Sequence, residues 1–268
     1  MDEKTDMELF LDQVPALKNK YLIFFTYTYH FLIFIFVMFI FWRIGSYSII
    51  FSLPLQLMVA SGSTVPFIYI AQNFDKLRKK YLKKYPKHPW QFFWYHYSYT
   101  SPLGCAALYS PLLFKTDYIL PKIIDLPSNF LTNNLFPFYS SLPLGFILII
   151  MGILLVKPSK NRDRDMDAYL HMMYPEKNKI INNGIYRYIR HPRFLSRLIL
   201  SLGFGIIANN IFAILLAIIH FMPYYILMRV EDKKLKERYG NEVEQYHNKV
   251  PALIPRCRDL NKFIHKIF

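Results

Sequence analysis

Long uncharged runs separated by short basic segments constrain this chain more than any other feature. A helix needs about 20 consecutive apolar residues to cross the hydrocarbon core of a bilayer. Residues 21–42, 47–72, 91–114 and 135–156 reach that length without a Lys, Arg, Asp or Glu. The second is interrupted by Pro54 and Pro66, which a membrane helix tolerates where neighbours satisfy the freed carbonyls; the third contains His96 and Pro102. A hydrophilic stretch, 157–193, follows, and then two shorter apolar runs, 194–208 and 211–228, divided by Asn209 and Asn210. These last two read as a tight helical hairpin. The pattern predicts an all-α, polytopic transmembrane helical bundle of about six membrane helices, with a membrane region of four spans over 1–156 and a second region over 157–268.

Charge placement predicts an orientation, because cytoplasmic loops collect Lys and Arg. With the N-terminus inside, the inside segments hold 3 basic residues before the first span, 7 in 73–90, 9 in 157–193 and 10 from 229 onward, which is 29 of 33. Outside lie only Arg43, Lys115 and Lys122, while Arg197 falls within the hairpin. Both termini are therefore expected on the cytoplasmic side, and the acidic residues after the initial Met argue against a cleaved leader. The net charge of +15 needs no nucleic acid, since basic loops beside an anionic leaflet account for it, and no nucleic-acid-binding signature is present. The run Lys76, Arg78, Lys79, Lys80, Lys83, Lys84 reads as a contact to membrane lipid headgroups. With 53% apolar and 19% charged residues, disorder and a disulfide-stapled secreted scaffold are excluded. Cys105 and Cys257 lack the spacing of a zinc or redox site, so no metal is expected.

One motif is a decoy. The glycines of Gly203-Phe204-Gly205-Ile206-Ile207-Ala208 fit a dinucleotide fingerprint, but that pattern requires a preceding strand, and here it lies inside an apolar helix, where glycine permits close helix packing.

Chemistry concentrates instead in Asn183-Gly184-Ile185-Tyr186-Arg187-Tyr188-Ile189-Arg190-His191-Pro192-Arg193-Phe194, at the cytoplasmic mouth of the hairpin. Pro192 suits the first helical position, and a helix starting there turns its positive end to the cytoplasm, ready for a carboxylate or phosphate. An interfacial anchor of snorkelling Arg and belt Tyr reads equally well from these residues. A second cluster follows: Glu231 and Asp232 where the last helix leaves the membrane, then Gly240, Tyr246 and Val250-Pro251. An acid at that depth is costly unless it meets a cation. Asp232 is expected on a solvated face with Lys233 and Lys236; for Glu231 both readings stay open.

The order Gly184-x-Tyr186-x-x-x-Arg190-His191-Pro192-x-Phe194, a short hairpin, Glu231, Gly240, Tyr246 and Val250-Pro251 resembles the C-terminal half of the isoprenylcysteine carboxyl methyltransferase and phospholipid methyltransferase superfamily. The likeness covers about residues 178–256. It implies an integral-membrane enzyme that binds S-adenosyl-L-methionine at the cytoplasmic face and takes a lipid-like acceptor from the bilayer. By motif position it implies cofactor contacts at Tyr186, Arg190, His191, Pro192, Arg193, Phe194 and Glu231, with Asn178, Ile181 and His171 upstream, and a catalytic role for His191 and Glu231. His191 reads as a hydrogen-bonding group to the cofactor or as the base for an amine acceptor. The chain departs from the family's usual Tyr at Phe194, Gly at Ser196, Tyr at Val243 and Arg at Leu227. The acceptor expectation runs from a phospholipid amine through another small lipophile to a prenylated cysteine carboxylate. Two rivals stand beside it: an NADPH-dependent membrane sterol or lipid reductase of related fold, and a non-enzymatic channel, transporter or scaffold. The latter would need polar residues lining a path, and only His30, His96, Arg197 and His220 interrupt the spans.

Overall fold

The computed structural model describes residues 11–115, 124, 129–160 and 182–267, and no strand is present among them. Among the described residues ten helices carry the fold: α1 (Lys20–Tyr47), α2 (Ser52–Gln72), α3 (Phe74–Lys84), α4 (Pro89–Tyr97), α5 (Thr100–Tyr109), α6 (Phe138–Lys160), α7 (Pro192–Ala208), α8 (Ile211–Tyr239), α9 (Asn241–Lys249) and α10 (Leu260–Ile267). Among the described residues four helical stretches are long and apolar enough to cross a membrane: Lys20–Tyr47, Ile49–Gln72, Tyr139–Val156 and Ile211–Tyr239. Large apolar side chains stay uncovered along them, among them Phe24, Phe31, Phe36, Ile147, Ile153 and Ile226. Water would not tolerate apolar surface on this scale; lipid requires it. The chain is thus an all-helical integral membrane protein.

The third apolar run, expected as a span over 91–114, is not one helix. It divides into α4, α5 and a 3-10 turn at Ser110–Phe114. Proline supplies the reason: Pro102 and Pro111 have no N–H to return to the carbonyls of Ser98 and Ala107, so the α ladder stops at both places. The freed Ala107 carbonyl accepts from Ser110 Oγ (3.0 Å) and Gln56 Nε2 (2.7 Å). Amphipathic α3 buries Leu77 and Tyr81 against Trp90 and Phe93 of α4 and leaves Lys79, Lys80, Lys83 and Lys84 exposed.

The hairpin forms as the two asparagines demand. Asn209 takes the left-handed conformation (φ 63°) at the end of α7, which Asn adopts more readily than most residues. Asn210 then caps α8, its side-chain oxygen accepting from Ala213 N (2.8 Å) while its amide donates to the Phe114 carbonyl (2.6 Å). The tip is pinned further by Leu135 N to the Asn209 carbonyl (3.0 Å) and Phe212 N to the Leu131 carbonyl (2.9 Å). Asn210 is fully buried, so Asn210→Ala removes a cap and strands a carbonyl at once. A loss of about 1–3 kcal/mol is expected, read as a lower unfolding temperature of the purified protein; no change would refute the pinning.

Helix α7 lies against α6 at backbone contact distance. A Cβ on Gly203 would stand 3.0 Å from the Gly145 carbonyl, and one on Gly152 would stand 3.2 Å from the Ser196 carbonyl. Ser196 Oγ donates to the Gly152 carbonyl at 2.7 Å. The glycines serve helix packing, and the dinucleotide pattern has no strand before it. This packing sets the axis of α7, whose first turn carries the candidate site.

Candidate functional site

The site gathers at the end of the bundle opposite the Asn209–Asn210 tip. Gly184 holds a positive φ of 60° as the chain enters a single 3-10 turn, Gly184–Arg187, where Ile185, Tyr186 and Ile189 bury against Leu155 of α6 and Phe263 and Ile267 of α10. Residues Arg190 and His191 then lead, through a bend, to the start of α7. Their amides donate to the carbonyls of Pro251 (2.9 Å) and Ala252 (2.9 Å), and Tyr246 Oη donates to the Tyr186 carbonyl (2.6 Å). The distant Tyr246 and Val250-Pro251 positions of the motif are thereby explained: the tail folds back and clamps the segment that carries the histidine. Gly240 allows that return with φ 54°, where α8 stops and α9 begins.

His191 precedes Pro192, the first residue of α7. Its ring stands edge-on to Phe194, with centroids 5.5 Å apart. Facing it are the two acids of α8. His191 Nε2 lies 2.8 Å from Asp232 Oδ1, and His191 Nδ1 lies 4.0 Å from Glu231 Oε2. Arg190 Nη1 meets the other Asp232 oxygen at 3.2 Å, and His247 Nε2 of α9 stands 3.4 Å from Oδ1. One carboxylate is thus surrounded by a guanidinium and two imidazoles. Burial, and after it the Arg190 guanidinium, lowers the His247 pKa below its ordinary value, with the Asp232 carboxylate pulling the other way.

The expected site residues meet this geometry unevenly. Arg190, His191, Phe194 and Glu231 come together around the first turn of α7; Pro192 starts the helix and Arg193 follows it. Tyr186 is packed beneath, 5% exposed. His171, Asn178 and Ile181 lie outside the described residues. The expectation for Asp232 is overturned. Its side chain is only 13% exposed, against 42% for Glu231, and it is the hub of the cluster. The signal was present in helical spacing. Tyr224 and Met228 are buried on α8, and the next positions on that face, four residues on, include Asp232. His247 was not anticipated; it reaches the cluster only because α9 turns back at Gly240. Two cavities, lined by Arg43, Ile44, Ser46, Tyr47 and Phe51 and by Lys80, Tyr81, Lys84, Tyr85, His96 and Tyr97, both lie away from this cluster.

Comparison with known proteins matches the phospholipid methyltransferase family over residues 141–242. The chain is 28% identical over 131 residues to the protein-S-isoprenylcysteine O-methyltransferase of Schizosaccharomyces pombe, covering 47% of this chain and 54% of that protein. It is 27% identical over 113 residues to protein-S-isoprenylcysteine O-methyltransferase B of Arabidopsis thaliana, covering 41% and 57%. It is 23% identical over 150 residues to a probable protein-S-isoprenylcysteine O-methyltransferase of Oryza sativa subsp. indica, covering 54% and 78%. The matched stretch spans about half the length of the first two relatives. No solved structure matches the chain. Residues 141–242, which include Arg190, His191, Glu231 and Asp232, are thus similar to the phospholipid methyltransferase family, and the relatives named above are isoprenylcysteine O-methyltransferases.

Proposed function

We propose that this protein is an S-adenosyl-L-methionine-dependent methyltransferase, working at the cytoplasmic face of its membrane on a lipid-like acceptor that arrives from the bilayer. The observation that carries the reading is the meeting of His191 and Glu231, 4.0 Å apart, beside the Phe194 ring at the positive end of α7. The phospholipid methyltransferase family match over residues 141–242 and relatives named as methyltransferases support it.

The residues present fit the donor. Its carboxylate suits the start of α7, where backbone amides have no partner within the helix and the dipole favours an anion. Glu231, 42% exposed at the rim, suits a cationic group. The half-buried Phe194 ring offers a face for the adenine. When bound, the donor supplies an electrophilic methyl group for an in-line displacement. The chain positions and desolvates the partners. Asp232 takes His191 Nε2, which orients the ring and leaves Nδ1 as the atom turned towards Glu231 and the acceptor side. For an amine acceptor, Nδ1 receives the proton released as the new N–C bond forms; a carboxylate acceptor needs no base, and His191 then only orients. The phospholipid amine stands first among acceptors, before other small lipophiles and the prenylated cysteine carboxylate.

The test is ligand stabilisation. S-adenosylhomocysteine, added to the purified protein at 100 times its Kd, stabilises the fold by about 2.7 kcal/mol and raises the unfolding temperature; NADPH leaves it unchanged. Membranes containing the protein, supplied with methyl-labelled donor, carry label into the extracted lipid. Stabilisation by NADPH alone would overturn the proposal in favour of a reductase.

A further inference from the structure

Arg197 stands in an apolar stretch of α7 where a charge demands a partner. The guanidinium is exposed at the protein surface, yet its surroundings hold it in place. Nη1 donates to Tyr224 Oη at 3.0 Å, and the group lies over the Tyr224 ring, 4.6 Å from its centroid. Tyr224 Oη stands 2.9 Å from Ser63 Oγ, which donates onward to the Ala60 carbonyl at 2.7 Å. Tyr224 and Ser63 are buried, and Gly104 of α5 leaves the space they need: a Cβ there would stand 2.9 Å from Tyr224 Oη and 3.6 Å from Arg197 Nη1. The chain of hydroxyl donors runs inward from Arg197 to Tyr224 to Ser63 to backbone, so each hydroxyl proton is spent on the protein. A guanidinium has five N–H donors, and among the described residues only the one to Tyr224 is engaged. No carboxylate of the described residues forms an ion pair with Arg197. A cation exposed on an apolar stretch of helix, fixed in orientation and without a counter-ion among the described residues, is a binding group for an oxyanion of a membrane amphiphile.

We infer that Arg197 anchors the phosphate of a glycerophospholipid acceptor, so that the headgroup amine lies towards His191 and the acyl chains lie towards the bilayer. This assignment of substrate class rests on the function proposed above. Position along α7 decides between oxyanions. Arg197 is six residues beyond His191, a rise of about 9 Å into the membrane. A continuous aromatic strip joins the two, from His191 to Phe194 (5.5 Å) and from Phe194 to Tyr224 (6.4 Å). In a phospholipid the phosphate sits between the reactive amine and the tails, which is the order of these groups along the strip. A carboxylate that itself received the methyl group would sit at the His191 end, beyond the reach of Arg197.

The experiment measures the unfolding temperature of the full chain in a neutral maltoside detergent. Three single-chain amphiphiles of equal tail length are added separately: lysophosphatidylethanolamine, a fatty acid and a monoacylglycerol. The expected result is a rise of several degrees with the lysophospholipid and none with the monoacylglycerol. Arg197→Gln loses that rise and keeps the wild-type response to S-adenosylhomocysteine; Arg197→Lys keeps charge but loses the planar fork and retains a smaller rise. Should the glutamine variant fail to fold, the lysine variant and Tyr224→Phe, which frees the guanidinium from its tether, still read the site, both with a reduced rise. An equal rise in the glutamine or lysine variant, an equal rise with monoacylglycerol, or a rise with fatty acid alone overturns the phosphate anchor. Absence of a response to S-adenosylhomocysteine in the wild type, with the lysophospholipid response intact, overturns the methyltransferase reading and leaves the lipid site standing.

Discussion

His191→Ala lowers methyl transfer into the lipid fraction by about two to four orders of magnitude, the range for a positioned acid or base, while the protein still inserts and folds. Glu231→Ala has a comparable effect through the donor: its carboxylate is 42% exposed at the rim, and the weakened response to S-adenosylhomocysteine reports the loss. Asp232 behaves differently from both. Removing it in Asp232→Ala leaves Arg190, His191 and His247 facing one another without their shared counter-ion. Breaking a mostly buried ion pair from one side costs about 3–5 kcal/mol, so this variant loses stability as well as activity. Asp232→Asn separates the two losses. It preserves shape and can still accept from His191, but gives up the charge, and activity falls about 10–100-fold, as it does where carboxylates orient imidazoles at metal sites. Kinetics and unfolding temperatures of the four variants together are the measurement. Full activity in both His191→Ala and Glu231→Ala would remove the site from consideration.

Gly203→Leu is expected to be strongly destabilising. The added Cβ alone would come within 2.9 Å of Ile149 Cγ1, 3.0 Å of the Gly145 carbonyl and 3.2 Å of the Ile149 nitrogen. Two of these three atoms are backbone, so no rotamer change relieves the clash and α6 must move away from α7. Overpacking costs about 1–3 kcal/mol where side chains can adjust, and this crossing lies at or beyond the top of that range. Separation would also stretch the Ser196–Gly152 hydrogen bond and tilt the helix that presents His191. Gly203→Ala meets the same first atoms with less bulk and is expected to be milder. Unfolding temperature and the yield of folded protein distinguish the pair; an unchanged temperature in the leucine variant would show that the two backbones are not in contact.

Much of this architecture is written into the order of residues. The uncharged runs at 21–42, 47–72, 135–156 and 211–228 become helices or parts of them because desolvating the backbone in lipid leaves a single chain segment no other choice. The turn at Asn209 and Asn210 follows equally locally, from the conformation and capping groups those two side chains supply. That His191 lies 4.0 Å from Glu231 follows the residue order that carried the family resemblance, whereas Arg190 meets Asp232 instead. The break at 98–99 was harder to see, since hydropathy averages over Pro102 whereas the hydrogen-bond ladder does not.

The tertiary structure decided the rest. Whether Asp232 faces water or a guanidinium depends on a partner about forty residues earlier in the chain, and His247 joins only because Gly240 turns the last helices back across the motif segment. The same holds for Arg197, whose guanidinium is fixed by Tyr224 and Ser63 on two other helices. Burial in lipid is a property of each segment on its own and can be read along the line. The environment of a charge is a property of whatever the fold sets beside it, and that exists only once the helices have packed.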